Sequence, residues 1–457
     1  MDMKKIIYLL TGLLFTLSLM AQDDSAMIKK ITDEVLTNGK AYEYLRVLCK
    51  QVGPRLSGSP QAAKAVEVTK KMMEDLGADK VWLQECIVPH WVRGKKEEAK
   101  IIYAGGKTYP LDVTALGNSR GSGDKGVTAN VIEVKDFDEL KALGEKVIKG
   151  NIVFYNHPFV QTFINTFQAY GEAGKYRFAG ASQAAKYGAV GCIVRSMASN
   201  VNDFPHTGVM GYNDSFPKIP AIAISTLDAE YLSKALKTKM ARQVYFRTNC
   251  QMLDSVKSYN VIGEIKGTEF PDQIITVGGH LDSWDLAEGA HDDGSGCVQS
   301  IEVLRVLKAL GYKPKRTIRA VMFMNEENGG KGGNKYYEEA KAKGEKHLFA
   351  MESDEGGFTP RGFGVSGSKE VVEKVKGWMP LFHPYGLYEM HEGGGGADIG
   401  DLKQLGTVLS NIYPDSQRYF DIHHAATDKL EAVSERELKL SAAMMAAMIY
   451  LVDKYGL

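Results

Sequence analysis

From Tyr259 to the C-terminus, short apolar runs alternate with longer stretches of helical period, and few architectures accept that alternation. The runs at 274–277, 318–324 and 348–351 are flanked by turn-forming residues, as strands buried on both faces of a parallel sheet are. Residues 294–310 place Val298, Ile301, Leu304 and Leu307 on one helical face. A last helix opens with Ser434 and Glu437 in capping-box spacing and stays apolar to Val452. Repetition of this kind predicts an open α/β sheet.

The rest of the chain reads differently. Residues 26–80 look helical, interrupted at Gly53-Pro54 and by the loop 57–60, and strand-like alternation follows at 81–92 and 99–103. From about 108 to 255 short apolar strands (GNIVFYN, KIPAIAIS) surround a small-residue helix, and few carboxylates converge. That stretch reads as a module set between two halves of a larger domain. The boundaries expected are 22–110 and 254–457 for the main domain and 111–253 for the insert.

In open parallel sheets, ligands bind beyond the carboxyl ends of the strands, and the histidines and acids of this half gather there. His280 and Asp282 end one strand, Glu326 and Glu327 a second, and Asp354 follows a third. Asp292 and Asp293 head a helix, and DIHHAATDKL brings His423 and His424 near the C-terminus. Taken singly, Asp282 or Asp293 could equally cap a helix. Together, several buried carboxylates are costly unless cations neutralise them. Two divalent ions nearly balance three carboxylates and a hydroxide. Imidazole and carboxylate donors without thiolates suit zinc, with cobalt or manganese as substitutes. Two metals ~3.5 to 4 Å apart need a bridging carboxylate, and they activate a shared water while clamping an oxyanion.

Other features narrow the functional classes. Lysine plus arginine equals aspartate plus glutamate at 56 each, which argues against nucleic acid as a partner. The N-terminus has Lys4 and Lys5, an apolar run from Ile6 to Met20, and a small residue at Ala21. It reads as a secretory signal peptide, residues 1–21, too short to span a bilayer. The mature protein is therefore expected to be exported, periplasmic or secreted, without a stable membrane anchor. Cys49, Cys86, Cys192, Cys250 and Cys297 lack paired spacing and read as buried thiols.

The motifs GGHLDSWD, GAHDDGSG, NEENGG, MESDEGG and HHAATD, in this order, resemble those of the co-catalytic zinc aminopeptidases. The resemblance is closest to the plasma glutamate carboxypeptidase (carboxypeptidase Q) branch, which contains dipeptidases. It covers essentially the whole mature chain. It implies a zinc exopeptidase fold of the phosphorylase/hydrolase-like kind, a mixed, largely parallel sheet flanked by helices, with an inserted, β-rich protease-associated domain. It implies two Zn2+ per subunit: His280 and Asp354 on one, Glu327 and His424 on the other, Asp292 between them. It also implies that Asp282 takes the other ring N–H of His280, that Asp292-Asp293 is a cis peptide, and that Glu326 is the general base. The family places an acid four residues after its ligand histidine, so Asp428 favours His424 over His423. His423 would then donate to an oxyanion or simply pack. MHEGGGGADIGDL resembles the family's glycine-rich loop beside the substrate, which makes His391 and Asp398 candidates on that side. A peptide substrate and a homodimer are further implications.

These residues support a metallo-exopeptidase acting on short peptides, most simply dipeptides with free termini, with an aminopeptidase on longer peptides as the alternative. A binding or receptor protein on the same fold would show gaps in the ligand set, and a single-zinc cyclase would lack the second-metal residues; this chain shows neither.

Overall fold

A computed structural model describes residues 23–457; the expected signal peptide lies outside them. Its main feature is an eight-stranded sheet. In spatial order the strands are Lys80–Val92, Gln251–Ile265, Arg316–Phe323, Phe270–His280, Lys346–Glu352, Val408–Pro414, Pro360–Ser366 and Glu389–Glu392. The four central strands, 316–323 through 408–414, are parallel. The strands bordering them, 251–265 and 360–366, are antiparallel to the central strand each one adjoins, and 389–392 is parallel to 360–366. The sheet is thus mixed and largely parallel at its centre.

Both faces are covered, which is why the central strands read as unbroken apolar runs. Ala320 and Met322 point to a core shared with the helices Ser295–Ala309 and Glu435–Tyr455. Val321 and Phe323 point to the opposite core, against Tyr336 and Ala340 of the helix Lys331–Lys343. The 435–455 helix is buried around most of its circumference, which explains its lack of a polar face. Ser434 accepts from the Glu437 amide at 3.4 Å, but the Glu437 carboxylate takes the Thr359 hydroxyl, so the expected capping box is half made.

The inserted module begins earlier than expected. Glu98–Tyr103 pairs with Ala241–Arg247 and Thr108–Pro110 in a separate four-stranded sheet, so 111 falls inside the module. Alternation alone cannot say which sheet a strand joins. A five-stranded second sheet and the helices Phe137–Ile148, Thr166–Ala185 and Thr226–Lys237 complete it. It is therefore α/β in character rather than β-rich.

The strands that leave and re-enter the main sheet, 80–92 and 251–265, pair with each other as far as Val92 and Gln251. Two successive antiparallel pairings make 80–92 run in the direction of 316–323. The module therefore emerges from the edge where the central parallel strands end.

Candidate metal centre

His280 and His424 are each turned by a backbone carbonyl. His280, the last residue of its strand, donates from Nδ1 to the Asp282 carbonyl oxygen at 2.9 Å. That leaves Nε2 facing Asp292 Oδ1 at 3.1 Å and Asp354 Oδ1 at 3.2 Å. His424 donates from Nδ1 to the Thr207 carbonyl at 3.2 Å. Its Nε2 faces Asp292 Oδ2 and Glu327 Oε2, each at 3.2 Å. The Asp292 carboxylate is thus divided between two trios, His280 with Asp354 and His424 with Glu327.

Asp292 reaches this position through a turn of π-helical hydrogen bonding, Ala290–Gly294, in which Asp292-Asp293 is the expected cis peptide. Asp428 accepts from the backbone N–H of His291 at 2.8 Å and of Asp292 at 3.1 Å. Glu327 accepts from the Trp284 amide at 3.1 Å. His423 stacks on His424 with ring centroids 3.6 Å apart, and its Nε2 is 3.6 Å from Asp292 Oδ2. It has no ion-pair contact with Glu327, so His424 alone of the two stands between two carboxylates.

The arrangement fits two metal ions. Donors bound ~2.0–2.2 Å from one tetrahedral zinc lie about 3.3–3.5 Å from each other, close to the separations within each trio. Asp292 Oδ2, buried, has no hydrogen-bond partner among the described residues, as expected of an atom meant for a cation. Without cations the charges are in conflict. Burial alone would lower the pKa of His280 and of His424; Asp354 and Asp292 around the first, and Glu327 and Asp292 around the second, reverse this and hold both well above the ordinary value. Burial would raise Asp292, but its two histidine partners hold it well below the usual carboxylate range. Burial and the Asp292 charge push Glu327 up to about 7, and burial and Asp354 push Glu352 up to about 8.

Glu326 belongs to neither trio. Its Oε2 is 4.0 Å from His280 Nε2 and its side chain is a quarter exposed to the cleft. Burial, then Asp354 and Glu327, hold its carboxyl well above the ordinary range. It can therefore carry a proton beside the trios.

Two expectations need correction, and Asp282 acts through its backbone. It receives the His280 ring N–H at 2.9 Å on its carbonyl oxygen, its carboxylate lying 3.9 Å away. The carboxylate instead accepts from the amides of Asn325 at 2.6 Å and Glu326 at 3.0 Å, bracing the turn before Glu327. His391 is not brought to the cluster. It lies on the outermost strand, 43% exposed, paired with Glu389 and lying against Tyr413. Asp398 lies near Glu326 but is buried below it, its amide donating to Glu352 at 3.1 Å. Burial and the charges of Glu352 and Glu326 keep its carboxyl well above the usual range. The glycine-rich loop is forced onto this acid, because a side chain at Gly396 would collide with the Glu352 carboxylate. Asp293 acts locally: it accepts from the amide of His280 at 3.0 Å and from that of Gly296, in the first turn of the 295–309 helix, at 2.8 Å.

Sequence reasoning missed the contribution of the inserted module. Phe167, Tyr170, Arg177 and Val209 roof a cleft of about 180 Å³ over Asp292, Glu326, Glu327 and Asp354. Arg177 is buried and donates from Nη2 to the Tyr170 hydroxyl at 2.8 Å. It is the one fixed cation lining the cleft. No local pattern marks it, since its contact with the metal centre, Nη1 at 3.4 Å from His424 Nδ1, joins residues 247 positions apart. A wider depression of about 850 Å³ at the far edge of the sheet, lined by Lys369, Lys403 and Glu392, holds none of the clustered groups.

The family model for peptidase family M28 matches residues 260–449, the stretch that supplies both trios apart from the roof. Carboxypeptidase Q of Homo sapiens is 35% identical over 413 residues, 90% of this chain and 85% of that protein. Carboxypeptidase Q of Xenopus laevis is 35% identical over 429 residues, 93% of this chain and 89% of that one. The crystal structure of a peptidase M28 precursor from Shewanella amazonensis superposes with a TM-score of 0.91 at 30% identity, covering 96% of this chain and 98% of that one. Likeness on this scale, together with the clustered histidines and acids at the sheet edge, makes this chain a metallo-exopeptidase belonging to peptidase family M28.

Proposed function

We propose that the protein is an exported two-zinc exopeptidase that hydrolyses dipeptides carrying both free termini. The observation that carries this reading is the small cleft: about 180 Å³, acidic on its floor, with one buried guanidinium in its roof. Pockets for drug-sized ligands run from roughly 300 Å³ upward, so this space suits a small substrate. Export rests on the N-terminal sequence alone.

In this reading His280 and Asp354 would hold one ion and Glu327 and His424 the other, with Asp292 available to both. Bound zinc would supply Lewis acidity for the scissile carbonyl and make water acidic enough to react near neutral pH. Glu326, free of ligand duty, takes the proton of the attacking water and returns it to the leaving amine. The acidic floor accommodates the substrate's ammonium group. Arg177, held by Tyr170, pairs with the terminal carboxylate and so limits substrate length.

The test is release of free amino acids, read by mass spectrometry, from unblocked dipeptides, N-acetylated dipeptides, dipeptide amides and longer peptides, with Glu326→Gln beside the zinc-loaded protein. Cleavage confined to unblocked dipeptides and abolished in the variant is the expected result. Cleavage of longer peptides from the amino end would replace it with a general aminopeptidase, and no release from any peptide would sink the catalytic reading.

A further inference from the structure

The two histidines are not braced in the same way. The carbonyl that orients His280 belongs to Asp282, two residues on in the same loop. The carbonyl that orients His424 belongs to Thr207, 217 residues away in the inserted module. Thr207 and His424 are paired reciprocally, because the Thr207 amide also donates to the His424 carbonyl at 2.9 Å. One residue earlier, His206 donates from Nδ1 to the His423 carbonyl at 2.6 Å.

The bracing segment is itself anchored in the module. The Thr207 hydroxyl donates to the Ala115 carbonyl at 2.8 Å, the His206 amide to Ser196 Oγ at 2.8 Å, and the Gly117 amide to the Gly208 carbonyl at 2.9 Å. His206 and Thr207 are 3% and 1% exposed, so water does not compete for these bonds. His424 adopts φ 61°, a conformation that residues other than glycine seldom hold without support.

We infer that the inserted module is a positioning element of the metal centre. The Thr207 carbonyl fixes the His424 tautomer, keeping Nε2 free for the ion shared with Glu327, so occupancy of that side depends on docking of the module. The His280–Asp354 side, braced within its own loop, does not. The coupling is reciprocal: an ion on the Glu327–His424 side strengthens docking of the module by the same free energy. This inference rests on the two-zinc reading.

Gly208→Ala tests it without altering any proposed ligand. A Cβ there would collide with the Arg177 guanidinium and lie 2.7 Å from His424 Nδ1, on a backbone at φ +135°, so the 207–208 segment and the His424 ring could not keep their present spacing. Zinc per chain is measured by elemental analysis after dialysis against buffered zinc, and site affinities by cobalt titration followed by absorption. The expected result is that the wild type binds two ions, whereas the variant keeps one at wild-type affinity and binds the other about 10–100-fold more weakly. Adding Glu327→Ala to Gly208→Ala should leave the retained ion in place, and adding Asp354→Ala should remove it. Two ions at wild-type affinity in Gly208→Ala would overturn the inference. Should that variant lose its cooperative melting transition, His206→Ala decides: selective weakening of one ion supports the coupling, and unchanged affinities overturn it. A wild type that binds a single ion would instead remove the two-zinc reading, and the inference with it.

Discussion

Asp428 holds the backbone amide of Asp292 at 3.1 Å across 136 positions of sequence. Its other oxygen takes the amide of His291 at 2.8 Å, so one carboxylate secures the turn that aims the divided Asp292 side chain. Burial pushes Asp428 up to about 7, with the Asp292 charge adding to the rise against its two amide donors. Asp428→Ala leaves two buried N–H groups without acceptors, at about 1–3 kcal/mol each. A lower urea midpoint and weaker zinc binding are expected, with Asp428→Asn intermediate because its amide oxygen can still accept.

Glu326→Gln preserves volume and removes only the titrating group. A fall in kcat of roughly 10²–10⁴-fold is expected, with zinc content unchanged by elemental analysis. A parallel loss of zinc would mean that Glu326 acts as a ligand instead.

Arg177→Met keeps the aliphatic packing under Tyr170 and deletes the charge. KM for unblocked dipeptides should rise by roughly 10–100-fold, the worth of a hydrogen bond to a charged group at about 1.5–3 kcal/mol. Dipeptide amides should be affected little, and equal losses on both substrates would refute the carboxylate pairing.

Metal removal should expose the crowding of the acids as a pH dependence. In the metal-free protein Glu327 and Glu352 are pushed up to about 7 and 8, whereas in the unfolded chain each titrates near its ordinary value. Between these limits the folded form binds more protons, so its stability falls as pH rises from about 4.5 to 8 and is unpenalised below that window. Thermal melts after chelation should show that slope, and stoichiometric zinc should flatten it by replacing the protons.

His391→Ala should leave kcat and KM within about twofold of the wild type, since surface changes away from a site are near neutral. The ring is paired with Glu389 on the edge strand, remote from both trios. A large kinetic effect would require that strand to reach the cleft in the working enzyme.

Much of the site was legible because the chemistry clusters at strand ends. The acids at 326–327 and 354 follow runs of uniform burial, and the ends of parallel strands converge by topology. His280 and Asp292 sit only twelve positions apart, so their pairing is nearly local. Spacing put Asp282 beside His280 without saying which of its atoms, side-chain or backbone, makes the bond. His391 was misassigned because a glycine-rich loop constrains its two ends loosely.

The amino-acid pattern by itself determined the central parallel sheet and, through its ordered motifs, the family, because burial periodicity and motif spacing are written residue by residue. Only the tertiary structure decided what closes the cleft. Arg177, Tyr170 and Thr207 lie in a module that emerges from the catalytic edge through two paired strands. The contacts of Arg177 and Thr207 with His424, and of Tyr170 with His423, depend on how that module docks, and a contact between surfaces more than two hundred residues apart leaves no periodic trace in either one.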